Sequence, residues 1–389
     1  LQEENLINEQ SQLTNVAELA EKIERATTFR RPSERTELVN ELSTKSNSEL
    51  FANGKQIFYK LTRYPFRSGG FKQTFFGYSQ GDQRLFIVSS PVQRVEGRDL
   101  NEYRRSVIEE QERDSNAINI LKSDMTVDLK YFLIPEIAFK DDFGFEHRFS
   151  EFCDIGTFDA LKNYSLRDRI DPILQCIKGF KYLHRSLIHR DIKPENILLY
   201  TREDGQIGVV ISDFGLSVRI GEKGIAGTPT YFATELLLHD YLKIEGNSTI
   251  DSDLFALGLT IGEVLLNISI AKNIVNTGQL RDLHFKAMDE EISLFNVFMI
   301  EWKKNPKLNT SILYQSTVNT IYQMTEVDIK KRSRNTDELF KNLTELSSTI
   351  DSNPVQFPNK VPDGEQMPVH VRVQESEELF REPKSPEDA

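Results

Sequence analysis

The spacing of apolar residues changes period twice along the 389-residue chain. Over residues 1–54 the pattern is helical and polar. Leu13, Val16, Ala20 and Ile23 recur at helical spacing, Pro32 interrupts, and Leu38, Val39 and Leu42 follow in a second stripe, so a helical extension is expected. Over 55–150 the pattern becomes strand-like. The stretches "QIFYKLTRYPF", "TFFGYSQGDQRLFIVSS" and "YFLIPEIAFKDDFGFEHRFSEFC" are aromatic and β-branched, with turn signals at Gly81-Asp82 and Asp142 to Gly144. One helix, near 100–121, interrupts them and carries Tyr103, Val107, Ile118 and Leu121 on one stripe. From 157 to 348 the period is helical again. The run "LFALGLTIGEVLLNISIA" at 254–271 has the length of a buried helix and carries Glu263, which argues against a membrane span. The pattern predicts an α+β architecture: a small β-rich part over 55–150, a larger helical part over 151–350, and a cleft between them as the natural ligand site.

Composition and charge refine this picture. Hydrophobic content is 38% and charged content 28%, values of a soluble globular protein. A formal charge of −12 disfavours general affinity for nucleic acid or anionic lipid. The two cysteines, Cys153 and Cys176, cannot supply a disulfide framework, and the acidic, polar start carries no secretory pattern. A reducing, cytoplasmic or otherwise intracellular setting is expected. Six of the 14 prolines fall within 351–389, where acids outnumber bases, so an acidic, Pro-rich and disordered tail is expected there. The N-terminal helices are a candidate surface for a partner or a dimer.

The chemistry concentrates in "HRDIKPENILL". Asp191, Lys193 and Asn196 lie in a polar turn just before an apolar run, and Asp213 follows Asn196 by 17 residues at the end of the next apolar run. Asp204-Gly205 between them is a hairpin signal, so the two runs pair and bring Asn196 close to Asp213. An amide and a carboxylate converging at a cleft suit a hard cation such as Mg²⁺, which takes oxygen ligands and shares them with phosphates.

"HRDIKPEN", "DFG" at 213–215, "GTPTYFATE" at 227–235, "DSDLFALG" at 251–258 and "IKKRSRN" at 329–335 occur in order, and together they resemble the eukaryotic-type protein kinases, from about Ile57 to Leu346. Phe255 replaces the family's tryptophan, and Ser333 a proline. The resemblance implies a bilobal fold with a β-rich N-lobe and a helical C-lobe, ATP and Mg²⁺ as cofactors, and a protein substrate. It implies that Asp191 orients the attacking hydroxyl, Lys193 neutralises the moving phosphoryl group, and Asn196 and Asp213 hold the metal. It further implies that Glu151 to Cys153 form the hinge that offers backbone groups to adenine, with Ser150 as gatekeeper. Glu235 should pair with Arg332, Asp253 should cap the catalytic loop, and Thr228 should contact Asp191 and Lys193. The form "HRDIKPEN" resembles the serine/threonine type.

Two features depart from the family. The phosphate-covering loop reads Arg67-Ser68-Gly69-Gly70-Phe71-Lys72, so that of the three motif glycines only Gly69 is kept, with Gly70 beside it. The next strand carries Ser89 where the family has the lysine that grips the phosphates. Lys72, at the last glycine position, is the candidate replacement, because the site needs a cation at a point in space rather than on a given strand. Here "SGGFKQTFFG" resembles the loop of the WNK ("with no lysine") kinases. The lysine's carboxylate partner is either Asp114, by register, or Glu110, by side-chain type. The resulting reading is a serine/threonine protein kinase. The alternatives are a nucleotide-binding pseudokinase scaffold, and an enzyme of this fold that transfers another group such as AMP.

Overall fold

The computed structural model describes residues 48–53, 56–61, 67–68, 72–79, 84–92, 99–301 and 312–352. The helices expected before residue 48, the tail after 352, the Gly81-Asp82 turn and the glycines at 69 and 70 lie outside the described residues.

The β-rich part is an antiparallel sheet of β1 (Ser48–Asn53), β2 (Gln56–Leu61), β3 (Arg67–Ser68), β4 (Lys72–Ser79), β5 (Arg84–Pro91), β6 (Ile137–Lys140) and β7 (Glu146–Glu151). Its order is β1-β2-β4-β5-β7-β6, with β3 on β4. Aromatic side chains make its core: Phe58, Phe75, Phe86, Val88 and Phe149 are buried together. Phe58 and Phe149 meet nearly edge to face at 5.5 Å, the geometry aromatic pairs prefer. Gly77 makes this packing feasible, since a Cβ there would stand 2.4 Å from Val88 Cγ2 and 3.0 Å from the Phe149 ring. One expectation is corrected. Residues 48–53, assigned to the helical extension, are strand β1, because Phe51 packs on Phe139 at 5.2 Å and so joins the aromatic face.

Helix α1 (Leu100–Ser123) lies in sequence between β5 and β6. Asp99 caps it, accepting from the amides of Asn101 at 2.7 Å and Glu102 at 3.2 Å. The expected stripe of Tyr103, Val107, Ile118 and Leu121 is buried.

The helical part has a separate core, built chiefly by α2 (Leu166–Leu183), α3 (Ile250–Leu265), α4 (Thr277–Asp289), α5 (Leu294–Glu301), α6 (Ile312–Met324) and α7 (Thr336–Ser352). The helical pattern that begins at 157 starts with a 3₁₀ stretch, Phe158–Asn163, followed by α2, which Ser165 caps. The apolar run at 254–271 supplies α3, buried throughout and closed by a reciprocal Thr249–Ser252 capping box. Among the described residues, no helix is long and apolar enough to cross a membrane. Short strands line the junction of the two parts: β8 (Gly156–Thr157), β9 (Leu187–Ile188), β10 (Ile197–Thr201), β11 (Ile207–Ile211) and β12 (Val218–Arg219). β10 pairs with β8 and β11, and β12 with β9.

Candidate active site

The β10–β11 hairpin forms as the sequence predicts. Gly205 turns it at φ 77°, and Ser212 N donates to Asn196 O at 2.8 Å just beyond its paired residues. Asn196 and Asp213 therefore flank adjacent strand ends. Before β10, the chain at 189–191 is held from beneath by α3. Asp253 accepts from His189 N at 2.6 Å and Arg190 N at 3.0 Å, and lies 3.0 Å from His184 Nε2. This clamp holds Arg190 at φ 72°, a left-handed conformation that a non-glycine residue adopts only when its surroundings impose it.

The polar side chains then interlock. Asp191 pairs with Lys193 at 2.8 Å and accepts from Thr228 Oγ1 at 2.7 Å. Lys193 Nζ donates to Thr228 Oγ1 at 2.6 Å. Asn196 Nδ2 donates to Asp191 O and Oδ2, both at 2.9 Å. Gly227 permits the approach of Thr228: its φ is 121°, and a Cβ there would meet Arg190 O at 2.1 Å. On the facing side Asp213, also left-handed at φ 69°, pairs with Lys72 at 2.5 Å.

These groups border a cavity of about 470 Å³ between sheet and helices. Its wall includes Lys72, Ser89, Glu110, Asp114, Arg148, Ser150, Cys153, Lys193, Asn196 and Asp213. Asp191 lies just behind it, bonded to Lys193 and Asn196. Glu151 ends β7 with its side chain exposed, while Phe152 and Cys153 are buried at the cavity edge. Both cysteines are free, and burial pushes their thiols well above the usual range. Glu235 and Arg332 form a two-pronged pair at 2.7 Å and 2.7 Å.

Electrostatics separates the carboxylates into two kinds. Burial works against the charge of Asp191, but Lys193 and Thr228 outweigh it and hold the group below the usual carboxylate range. Burial likewise opposes Asp213, and Lys72, with His189 and Lys193, holds it low. Burial disfavours the Lys72 ammonium, yet Asp213, Asp114 and Glu110 raise it above an ordinary lysine. Glu110 and Asp114 are instead pushed up by burial, only partly offset by Lys72 and, for Asp114, first by Arg148.

The open choice between Asp114 and Glu110 resolves into different contacts. Asp114 Oδ1 accepts from Phe214 N at 2.9 Å, and its ion pair is with Arg148. Glu110 lies against Gly215, where a Cβ would meet its Cγ at 2.7 Å. The ion-pair partner of Lys72 is Asp213. Arg148 was not among the residues singled out from sequence. A guanidinium inside "EHRFSE", flanked by a phenylalanine in a buried strand, was the available signal.

The donor set suits a hard cation. Asp213 offers carboxylate oxygens, and Asn196 spends its amide hydrogens on Asp191, so its carbonyl oxygen is the group left for coordination. Two oxygen ligands fall short of a full cage, as expected for a cation that completes its shell with phosphates and water. Among the described residues there is no cluster of three or more His, Cys, Asp or Glu suited to a metal.

Comparison with known proteins places the chain among protein kinases. The chain is 34% identical over 179 residues to a mitogen-activated protein kinase kinase, mkk2, of Aspergillus fumigatus, covering 38% of this chain and 33% of that protein. It is 40% identical over 131 residues to the MAP kinase kinase skh1/pek1 of Schizosaccharomyces pombe, covering 30% and 33%. It is 38% identical over 86 residues to the serine/threonine-protein kinase DCLK1 of Rattus norvegicus, covering 21% and 20%. The chain thus spans a third or less of the length of these relatives. The protein kinase domain model matches residues 137–344, more than half of the 389 residues, and the chain belongs to the protein kinase family.

Proposed function

We propose that this protein is a two-lobed serine/threonine protein kinase that moves the γ-phosphoryl group of ATP to a protein hydroxyl, with Mg²⁺ as the metal. The observation that carries this reading is the interlocked set Asp191–Lys193–Thr228–Asn196, of which Lys193 and Asn196 line the same cavity as Asp213. Adenine enters beside the hinge backbone at Glu151 to Cys153, and the phosphates extend toward Asp213. Asn196 and Asp213 would hold the metal, which would supply positive charge to offset that of the phosphates. Lys193 stabilises charge on the transferred group. Asp191, held acidic by Lys193 and Thr228, accepts a hydrogen bond from the substrate hydroxyl and aims it. The hydroxyl oxygen bonds to the γ-phosphorus as the bond to the oxygen bridging the β- and γ-phosphorus breaks, the hydroxyl proton passes to Asp191, and ADP leaves. Thr228 beside both groups supports a serine or threonine acceptor.

Lys72 supplies the cation that Ser89 does not. Its pairing with Asp213 places an ammonium beside the metal ligand, within reach of phosphates in the same cavity. The WNK-like loop rests on this placement and on residue type alone, since the glycines at 69 and 70 lie outside the described residues.

Incubation of the purified chain with ATP labelled at the γ- or the α-phosphate, Mg²⁺ and a generic protein acceptor tests the reading. Expected is γ-label on serine or threonine. Label from the α-position would assign nucleotidyl transfer instead. Nucleotide binding without transfer of either label would make the chain a scaffold.

A further inference from the structure

Arg148 sits where sheet, helix and hairpin meet. It stands on β7, and its cross-strand partner on β5 is Ser89, which in turn faces Thr74 on β4. Its side chain is 9% exposed. Each guanidinium nitrogen is engaged by protein. Nε and Nη2 donate to Glu146 Oε2 at 2.9 and 2.7 Å, Nη2 also to Gln111 O at 2.6 Å and Ser115 Oγ at 2.7 Å, and Nη1 pairs with Asp114 Oδ2. Gln111, Asp114 and Ser115 all belong to α1, so a single side chain ties that helix to the sheet.

The tie continues into the hairpin end. The second oxygen of Asp114 accepts from Phe214 N at 2.9 Å, and Phe214 is the residue after Asp213. From the adjacent helix position, Arg113 Nε donates to Gly215 O at 3.0 Å. A carboxylate buried as Asp114 is needs a cation to stay charged, and only a charged, fixed carboxylate holds an amide firmly. Lys72 assists Asp114 only at a distance, because its ammonium is bonded to Asp213, and Arg148 is the cation that pairs with Asp114 directly. Conversely, Arg148 has no nitrogen to spare for a phosphate.

We propose that Arg148 is a positioning residue that, through Asp114, locks α1 to the sheet and sets the backbone that carries Asp213. This rests on the kinase reading above. The sheet-side cationic work is thereby divided: Lys72 serves the phosphates and Arg148 serves the helix. The arrangement also explains how Ser89 is tolerated. The carboxylate that a lysine at 89 would meet is already satisfied from the next strand, about 5 Å away.

The test combines turnover with hydrogen exchange. Arg148→Met should lower kcat about 10- to 100-fold while KM for ATP changes less than about threefold. In the same variant the amides of 107–118 and of Phe214 should exchange at least about tenfold faster, with the amides of α3 unchanged. Ser89→Lys added to Arg148→Met should restore protection and recover most of the lost turnover, since a lysine there reaches Asp114 from the neighbouring strand. The same rescue attempted with Asp114→Asn also present should fail. Should Arg148→Met not fold, Asp114→Asn, nearly equal in shape, should show the same loss of protection and turnover. Unchanged exchange in either variant, a rise in KM for ATP with kcat preserved, or no rescue by Ser89→Lys in a folded protein overturns the proposal. If the parent transfers no phosphate while exchange still responds to Arg148→Met and to Ser89→Lys, the tie stands and the kinase reading fails. The reverse pattern separates the two the other way.

Discussion

The two walls of the cavity are built by different rules. On the wall formed by 187–232, all the groups come from one contiguous stretch of chain. Asn196 reaches Asp191 five residues away, Thr228 reaches it 37 away, and a tight hairpin joins Asn196 to Asp213. On the wall formed by β4, β5, α1 and β7, each contact crosses strands or elements: Lys72 meets Asp213 across 141 residues, and Arg148 meets Asp114 across 34. The match to the protein kinase domain begins at residue 137 and so covers the first wall but omits most of the second. A loop whose groups depend on one another at fixed spacing cannot lose a member without losing the set. A pleated sheet offers several positions on one face, so a cation can move to a neighbouring strand and still point into the same space.

The comparison breaks most sharply at Asp213. Both walls meet there, because it is the carboxylate at the hairpin end, proposed above as a metal ligand, and the ion-pair partner of Lys72. Asp213→Ala should reduce phosphate transfer below about a thousandth of the parent, since it removes the proposed metal ligand and the anchor of the lysine together. The fold should persist, as the hairpin is held by backbone pairing. Turnover within tenfold of the parent would mean that the first wall does not carry the chemistry.

Lys72→Met probes the second wall alone. Turnover should fall by about two orders of magnitude, the scale for losing one preorganised electrostatic contact. The residual rate should exceed that of Asp213→Ala, because Asp213 itself is kept beside the intact Asp191, Lys193 and Asn196 set. Activity equal to the parent would show that the ammonium at 72 does not serve the phosphates.

The same contrast explains what could be read from sequence. Hairpin and helix stripe are legible because each depends on local periodicity or on turn chemistry, as in Asp204-Gly205 and the stripe Tyr103, Val107, Ile118 and Leu121. Strand β1 was not legible: "SELFAN" is short, and its membership depends on Phe51 finding Phe139 and Phe149. Nor was Arg148, whose role depends on the register of β7 against β5 and on the angular position of Asp114 on α1, neither of which a single strand's composition encodes. The choice between Asp114 and Glu110 stayed open for the same reason, since both lie one turn apart on the cavity side and only three-dimensional placement assigns Phe214 N to one and Gly215 to the other.

The smallest expected effect concerns the helical core that underlies the first wall. Glu263 on α3 is buried, accepts from Ile270 N and from Tyr231 Oη at 3.1 Å, and is pushed up to about 7 by burial, with Asp159 adding to the shift and Lys162, Ile270 N and Tyr231 opposing it. Between pH 4.5 and about 7 the folded chain therefore keeps a proton that the unfolded chain has released, and this group lowers stability as pH rises, by about 1.4 kcal/mol per pH unit. His284 acts in the opposite sense. Burial, with Arg332, lowers it from 6.5 to about 3, so its contribution to stability grows as pH rises through that interval. Over pH 4.5 to 6.5 the two slopes oppose each other in the parent. Glu263→Gln keeps the size and hydrogen-bonding capacity of the protonated acid but cannot release a proton. It should gain about 2 to 3 kcal/mol relative to the parent between pH 4.5 and 6.5, read by denaturant unfolding across that range. Phosphate transfer at neutral pH should stay near the parent rate, because Glu263 faces Tyr231 and the turn before Ile270 rather than the cavity. Parallel stability profiles for the two proteins would show that Glu263 is already ionised in the folded state. A matching loss of turnover would show that the core beneath the first wall is coupled to the chemistry above it.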